Sequence, residues 1–296
     1  MRDRHPVTDW ATDFDHLDPR WIEDPFPIWD ELRRSCPVAH TSRFQGVYFP
    51  TRYEDIRQIA YDTEHFSSRR VQVRETPPPV KSPAPPITSD PPHHRAARMV
   101  LLPQFTPEAI NKLIPTTRMI CNDLIDRFIG DETCDAAVDF AQHIPVRVIA
   151  GMLGLPPSDG EMFRGWVHGL VEEAILDDAT MVRTLSEMTA YLLDHVEQRR
   201  RSPADDLISY LAADRIDGAP LTDNHILGTL RLLLIAGIDT TWSGIGACLW
   251  HLAKTPADRR RLVAEPALMQ TAIEEFLRAY SPVTMARLVE IGRAHV

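Results

Sequence analysis

Apolar residues recur every three or four positions along most of the chain, the spacing that gives a helix one buried face. In 25–34 the pattern PFPIWDELRR sets Phe26, Trp29 and Leu32 on one side, with proline in the first turn, where its missing amide costs nothing. The same period predicts helices over 53–61, 91–102, 107–129, 136–153, 160–175, 181–200, 205–212, 223–254, 256–263 and 266–280. Strand signals are confined to 37–51, PVAHTSRFQGVYFPT, where two short β-like runs flank Gly46 and predict a hairpin. The fold class that follows is mainly α with a small β region.

One stretch fits neither period. Pro77, Pro78, Pro79, Pro83, Pro85 and Pro86 cannot supply the amide donors of a helix interior or a sheet, so 77–86 must be a loop. No glycine- or serine-rich tract adjoins it, which predicts an ordered loop inside a domain rather than a linker. The chain has no internal repeat, and 296 residues with 44% hydrophobic content suffice for one large domain or two small ones.

Charge and cysteine content narrow the function. A formal net charge of −10, with no basic run longer than a short one such as Arg199, Arg200 and Arg201, argues against nonspecific nucleic-acid binding. The amino terminus, MRDRHPVTDWATDFDHLDPR, is too polar for a signal peptide or an anchor, so a cytoplasmic protein with no membrane partner is expected. Cys36, Cys121, Cys134 and Cys248 lie far apart, without the paired spacing of a zinc or redox motif, and read as free thiols. No GxGxxG after a strand, GxxxxGK[ST], HExxH or complete GxSxG is present, and no metal-ligating set is assigned.

Three segments carry chemistry. The first is TLRLLLIAGIDTTWSGIGACLWHLAK, a long apolar helix with Arg231 and Asp239 inside it, which argues against a membrane span. Gly237 costs roughly 1 kcal/mol against alanine in mid-helix, which points to something flat or bulky close to the backbone. Asp239, Thr240 and Thr241 in the same turn are costly to bury unless used, and a threonine hydroxyl bonded one turn back predicts a departure from regular helix near Asp239 or Thr240. In the second segment, SDPPHHRAAR, Asp90 is a good N-cap and Pro91 a good first residue. His94 and Arg98 then share a helix face as two donors for an anionic ligand such as a carboxylate. The third is Glu275 with Arg278, an acid and a base three apart, followed by Ser281, Pro282, Val283 and Arg287.

These segments, in this order, resemble the cytochrome P-450 family of haem-thiolate monooxygenases, soluble bacterial type. The resemblance runs over nearly the whole chain: Pro25-Phe-Pro, Phe66-Ser-Ser, Asp90-Pro-Pro-x-His-x-x-x-Arg98, Phe105-Thr-Pro, Val148-Ile-Ala before Leu153-Gly-Leu-Pro, Asp205-Asp-Leu-Ile-Ser, Ala236-Gly-x-Asp-Thr-Thr and Glu275-x-x-Arg278. It implies the cytochrome P450 fold over 1–289 and haem b, iron protoporphyrin IX, as cofactor. His94, Arg98 and Arg287 would hold the haem propionates, and Ala236 with Gly237 would line the oxygen side of the iron. Asp239 and Thr240 would be the acid–alcohol pair that delivers protons, Glu275 and Arg278 would be structural, and Val283 would touch substrate, with the proline-rich loop covering the pocket. A small hydrophobic substrate, O2 and a ferredoxin-type electron donor with its reductase are the implied partners.

One departure bears on activity. The family's thiolate sits in a loop of pattern Phe-x-x-Gly-x-x-x-Cys-x-Gly, which does not occur in the 296 residues, and none of the four cysteines suits the role. Without the thiolate's electron donation, oxygen–oxygen cleavage is not favoured. The sequence is accordingly expected to be an incomplete P450 fold that stops before the ligand loop, with 290–296, EIGRAHV, read as the translation of a sequencing adapter. The alternative is a haem-free helical binding or interaction module on the same scaffold.

Overall fold

The computed structural model describes residues 4–290. The chain divides into two compact units, one comprising residues 1–81 with 285–296 and the other residues 82–284. The division falls between Lys81 and Ser82, inside the proline-rich stretch that the sequence analysis assigned to the interior of a single domain.

In the first unit, helix Phe26–Ser35 buries Ile28 and Leu32. These pack with Phe14 and Ala39, and Trp10, Trp21 and Phe49 close round them. The expected hairpin is present, with Val38–Thr41 antiparallel to Val47–Pro50 and Thr41 opposite Val47. Its turn is wider than one glycine, because Phe44, Gln45 and Gly46 all take left-handed φ values of 55°, 71° and 89°. Arg43 secures that turn by donating to Asp13 at 2.8 Å and to the buried Asp15 at 2.9 Å. Helix Tyr53–Tyr61 follows as expected. A strand pair that the sequence did not announce joins Phe66–Ser67 to Leu288–Val289, with Phe66 opposite Val289. Two-residue strands are too short to display alternation, which is why no pattern revealed them. Of the 290–296 segment, Glu290 donates its backbone amide to the His65 carbonyl at 2.9 Å, and 291–296 lie outside the described residues.

The second unit is built around helix Asp223–Lys254, whose bounds agree with the sequence reading. Thr222 caps its start by accepting from the His225 amide at 3.3 Å. Ile226, Leu230, Leu234 and Ile238 form one buried stripe at four-residue spacing. The stripe belongs to a core with Ile149 and Leu153 of His143–Leu153, Phe163 and Val167 of Gly160–Val171, and Met188 and Leu192 of Asp178–Arg201. Each such side chain, fully buried, contributes about 1.5–3 kcal/mol. By length and composition this helix could cross a membrane. Its buried stripe runs from Ile226 to Ile238, and Arg231 and Asp239 interrupt the apolar stretch.

Prolines explain where expected helices divide. The 107–129 segment forms Pro107–Asn111 and Ile114–Phe128, because Pro115 has no amide to give to the turn before it. In 136–153, Pro145 likewise cannot bond back to Ala141, and a π-helical turn, Ala136–Ala141, precedes His143–Leu153. The helix expected from Pro91 starts instead at His93, with Pro92 rather than Asp90 in the cap position, since a residue ahead of proline is kept out of the helical region. A tight hairpin missed by the sequence reading pairs Arg215–Ile216 with Ala219–Pro220 through Asp217 and Gly218, which turn at φ 52° and 81°. The Asp-Gly dipeptide was its signal.

Candidate functional site

Midway along Asp223–Lys254 lies the Ala236–Thr241 segment. Contrary to expectation the helix runs through it without a break. The Thr240 hydroxyl does bond one turn back, donating to the Ala236 carbonyl at 2.7 Å. That carbonyl keeps its place in the helix ladder and merely accepts a second donor, so the bond adds to the helix rather than opening it. At Gly237 a Cβ would make ordinary van der Waals contact with the Ile149 side chain at 3.4 Å, so the neighbouring helix leaves room for one and does not account for the glycine. Ala236 is exposed, Thr240 is partly so, and Ser243 one turn on is exposed, which leaves a face of small side chains and a hydroxyl on an otherwise apolar helix.

Asp239, next to Thr240, is half-buried. Burial pushes its carboxyl above the usual carboxylate range, the nearby Glu172 charge adds to this, and a hydrogen bond with the Trp242 side chain works against it. Glu172 and Trp242 were not singled out from sequence. Glu172 belongs to a different part of the chain, just after Gly160–Val171, and only folding brings it near Asp239.

His94 and Arg98 lie on helix His93–Leu101, one turn apart and exposed, without an ion-pair partner among the described residues. Arg287, exposed, belongs to the first unit, where its guanidinium donates to the Ser68 hydroxyl. Glu275 and Arg278 form a bidentate pair on helix Met269–Tyr280, Nε to Oε2 at 2.7 Å and Nη2 to Oε1 at 2.6 Å. The pair is exposed, and the guanidinium holds the Glu275 carboxyl below its usual range. Val283 is exposed on the segment after that helix. The second unit thus carries His94, Arg98, Ala236, Gly237, Asp239, Thr240, Glu275, Arg278 and Val283, and the first carries Arg287.

The 82–89 part of the proline-rich loop is held on the central helix. Thr229 donates its hydroxyl to the Pro85 carbonyl at 3.2 Å, and Arg231 reaches the Pro83 carbonyl at 3.3 Å. Gly228 makes room for it, since a Cβ there would fall 2.9 Å from Pro85 Cδ.

The family model described as Cytochrome P450 matches residues 161–290. The chain is 33% identical over 274 residues to vitamin D(3) 25-hydroxylase of Pseudonocardia autotrophica, covering 89% of this chain and 66% of that protein. It is 30% identical over 293 residues to cytochrome P450 130 of Mycobacterium tuberculosis (strain CDC 1551 / Oshkosh), covering 91% of this chain and 71% of the other. Among solved structures, that of cytochrome P450 CYP109Q5 from Chondromyces apiculatus superposes with a TM-score of 0.84 at 33% identity, over 96% of this chain and 73% of that one. The chain therefore spans about two thirds of the length of the relatives it matches.

Proposed function

Since the chain belongs to the cytochrome P450 family, we propose that it provides the oxygen-side helix and the propionate-binding helix of a haem-dependent monooxygenase, which hydroxylates a small hydrophobic organic substrate. The family's cofactor is haem b, and the donor chemistry here fits it. His94 and Arg98 are unpaired donors on one helix face, suited to carboxylates, and Ala236 and Thr240 leave a shallow face on the central helix. Haem, when bound, supplies oxygen activation and electron transfer. Both units are read as parts of one family domain over 1–289.

The observation that carries the reading is the pairing of a partly exposed mid-helix hydroxyl, Thr240, with a half-buried acid next to it, Asp239, whose carboxyl is pushed upward. A raised carboxyl keeps a larger protonated fraction near neutral pH and can pass its proton on. In the resting geometry the Thr240 hydroxyl donates to Ala236. Rotation about its Cα–Cβ bond turns it outward to donate on the open face, while Asp239 restores the proton. His94, Arg98 and Arg287 orient the cofactor through its propionates, Glu275 and Arg278 support the fold, and Val283 borders the substrate. A ferredoxin with its reductase as electron source, and a cytoplasmic location, complete the proposal. The P. autotrophica relative's name, a vitamin D(3) hydroxylase, supports an apolar substrate.

The test uses the chain supplied with the family's cysteine-ligand loop and turning over with substrate and electron donor. Thr240→Ala should bind haem and substrate as before but send most reducing equivalents into peroxide instead of product. Unchanged coupling of electrons to product would refute the role of Thr240.

A further inference from the structure

A second site lies in the second unit, among residues that the haem reading does not use. The first turn of His143–Leu153 presents His143, Val146 and Arg147 on one face, and the first turn of Gly160–Val171 presents Gly160, Glu161 and Arg164. They enclose a cavity of about 150 Å³, closed on a third side by the Pro157–Asp159 turn. Gly160 sets the approach of the two helices, because a Cβ there would lie 3.1 Å from Val146 Cγ1. At roughly 30 Å³ for each water molecule, the space suits a compact ion.

The charges around this cavity are unbalanced. Arg164 pairs with Glu161, whose carboxylate is exposed at the rim. Arg147 and His143 have no carboxylate partner among the described residues, although the chain as a whole carries a net charge of −10. Partial burial, Arg164, Arg147 and the more distant Arg127 all push the His143 imidazole below its ordinary value, and only Glu161 pulls it back. Arg147 and Arg164 face one hollow with the single carboxylate of Glu161 between them, so one guanidinium charge is left without a counter-charge, and the neutral imidazole of His143 adds a hydrogen-bonding group beside it. Asp159, the other acid nearby, is committed elsewhere: it accepts from the Tyr191 hydroxyl at 2.6 Å and from Ser158 at 3.0 Å.

We propose that His143, Arg147 and Arg164, with the start of helix Gly160–Val171, form a binding site for a small tetrahedral oxyanion of the phosphate class. The guanidinium groups offer planar paired donors to its oxygens, and the helix start adds a favourable dipole. Free inorganic phosphate is the ligand that the cavity's size favours. A phosphate carried on a lipid headgroup shares the chemistry and is separated from it by the second arm of the test.

The experiment titrates inorganic phosphate into the purified chain by calorimetry, with ionic strength held constant by sodium chloride. A parallel arm uses vesicles of phosphatidic acid against vesicles of phosphatidylcholine. Saturable 1:1 binding of phosphate is expected, weakened about tenfold or more in Arg147→Gln and partly restored in Arg147→Lys. Arg215→Gln, on the hairpin, should bind as the unaltered chain does. Should Arg147→Gln fail to fold, the His143 imidazole followed by NMR in the unaltered chain decides: phosphate should raise its titration midpoint where chloride at equal ionic strength does not. Phosphate acting no better than chloride, equal affinity in folded Arg147→Gln, or binding confined to the phosphatidic acid vesicles would overturn the proposal.

Discussion

His251 and Tyr280 meet through a hydrogen bond of 2.6 Å between the imidazole Nδ1 and the phenol oxygen. The other ring nitrogen, Nε2, lies 2.9 Å from the Asp258 carboxylate. Since an ionised carboxylate only accepts, Nε2 donates to it, and a neutral imidazole is left to accept from the Tyr280 hydroxyl. One side chain near the end of the central helix thus fastens both helices that follow it, Pro256–Ala264 and Met269–Tyr280. The second of these bears Glu275 and Arg278, so the bond orients them.

Tyr280→Phe removes this bond while keeping the ring. The chain should lose about 1 kcal/mol of stability, read as a lower urea midpoint with an unchanged slope. An unchanged midpoint would mean that the two residues are merely adjacent.

Gly154→Ala should cost more, about 2–4 kcal/mol. Gly154 has φ 72°, and a Cβ there would lie 2.6 Å from Asp206 Cβ. Asp206 accepts from the Ser209 amide at 2.8 Å to cap Leu207–Ala213 and is paired with Arg199, so its displacement disturbs a helix end and an ion pair together. Urea unfolding measures the loss, and a change below about 0.5 kcal/mol would contradict the close packing.

Asp239→Asn should separate stability from function. The folded carboxyl is raised above its unfolded value of about 3.9, so between those two values the folded chain binds more protons than the unfolded one. Stability contributed by the protonated form is present below the unfolded value and is lost as pH rises through the folded one. The asparagine variant should therefore be the more stable near pH 7, with the difference closing as pH falls towards 4. Turnover in the haem-loaded chain supplied with the family's cysteine-ligand loop should slow on the order of a hundredfold. A variant less stable than the parent at pH 7 would show that Asp239 is a structural ion.

The legible parts of the chain are those governed by local rules. Thr222 before Asp223 and Pro256 after Thr255 bracket the central helix, and both ends agree with the structure. The splits at Pro115 and Pro145 follow from proline's missing amide and were readable in principle, yet the apolar period on either side masked them. Placement of the candidate residues was legible where one helix carries both, as for His94 with Arg98 and Asp239 with Thr240. The Glu172 charge beside Asp239 and the cluster of His143, Arg147 and Arg164 needed separate helices to be brought together, by packing and by the small size of Gly160, and no spacing along the sequence encodes that.

The central claim is that the donors on His93–Leu101 and the open face of the central helix receive haem, and a titration of the chain with iron protoporphyrin IX tests it most directly. Followed by Soret absorbance, binding should saturate at one equivalent. It should weaken about tenfold in Arg98→Ala and when the haem dimethyl ester, which lacks free propionates, replaces haem. Binding that fails to saturate, or that is indifferent both to Arg98→Ala and to the ester, would contradict the account.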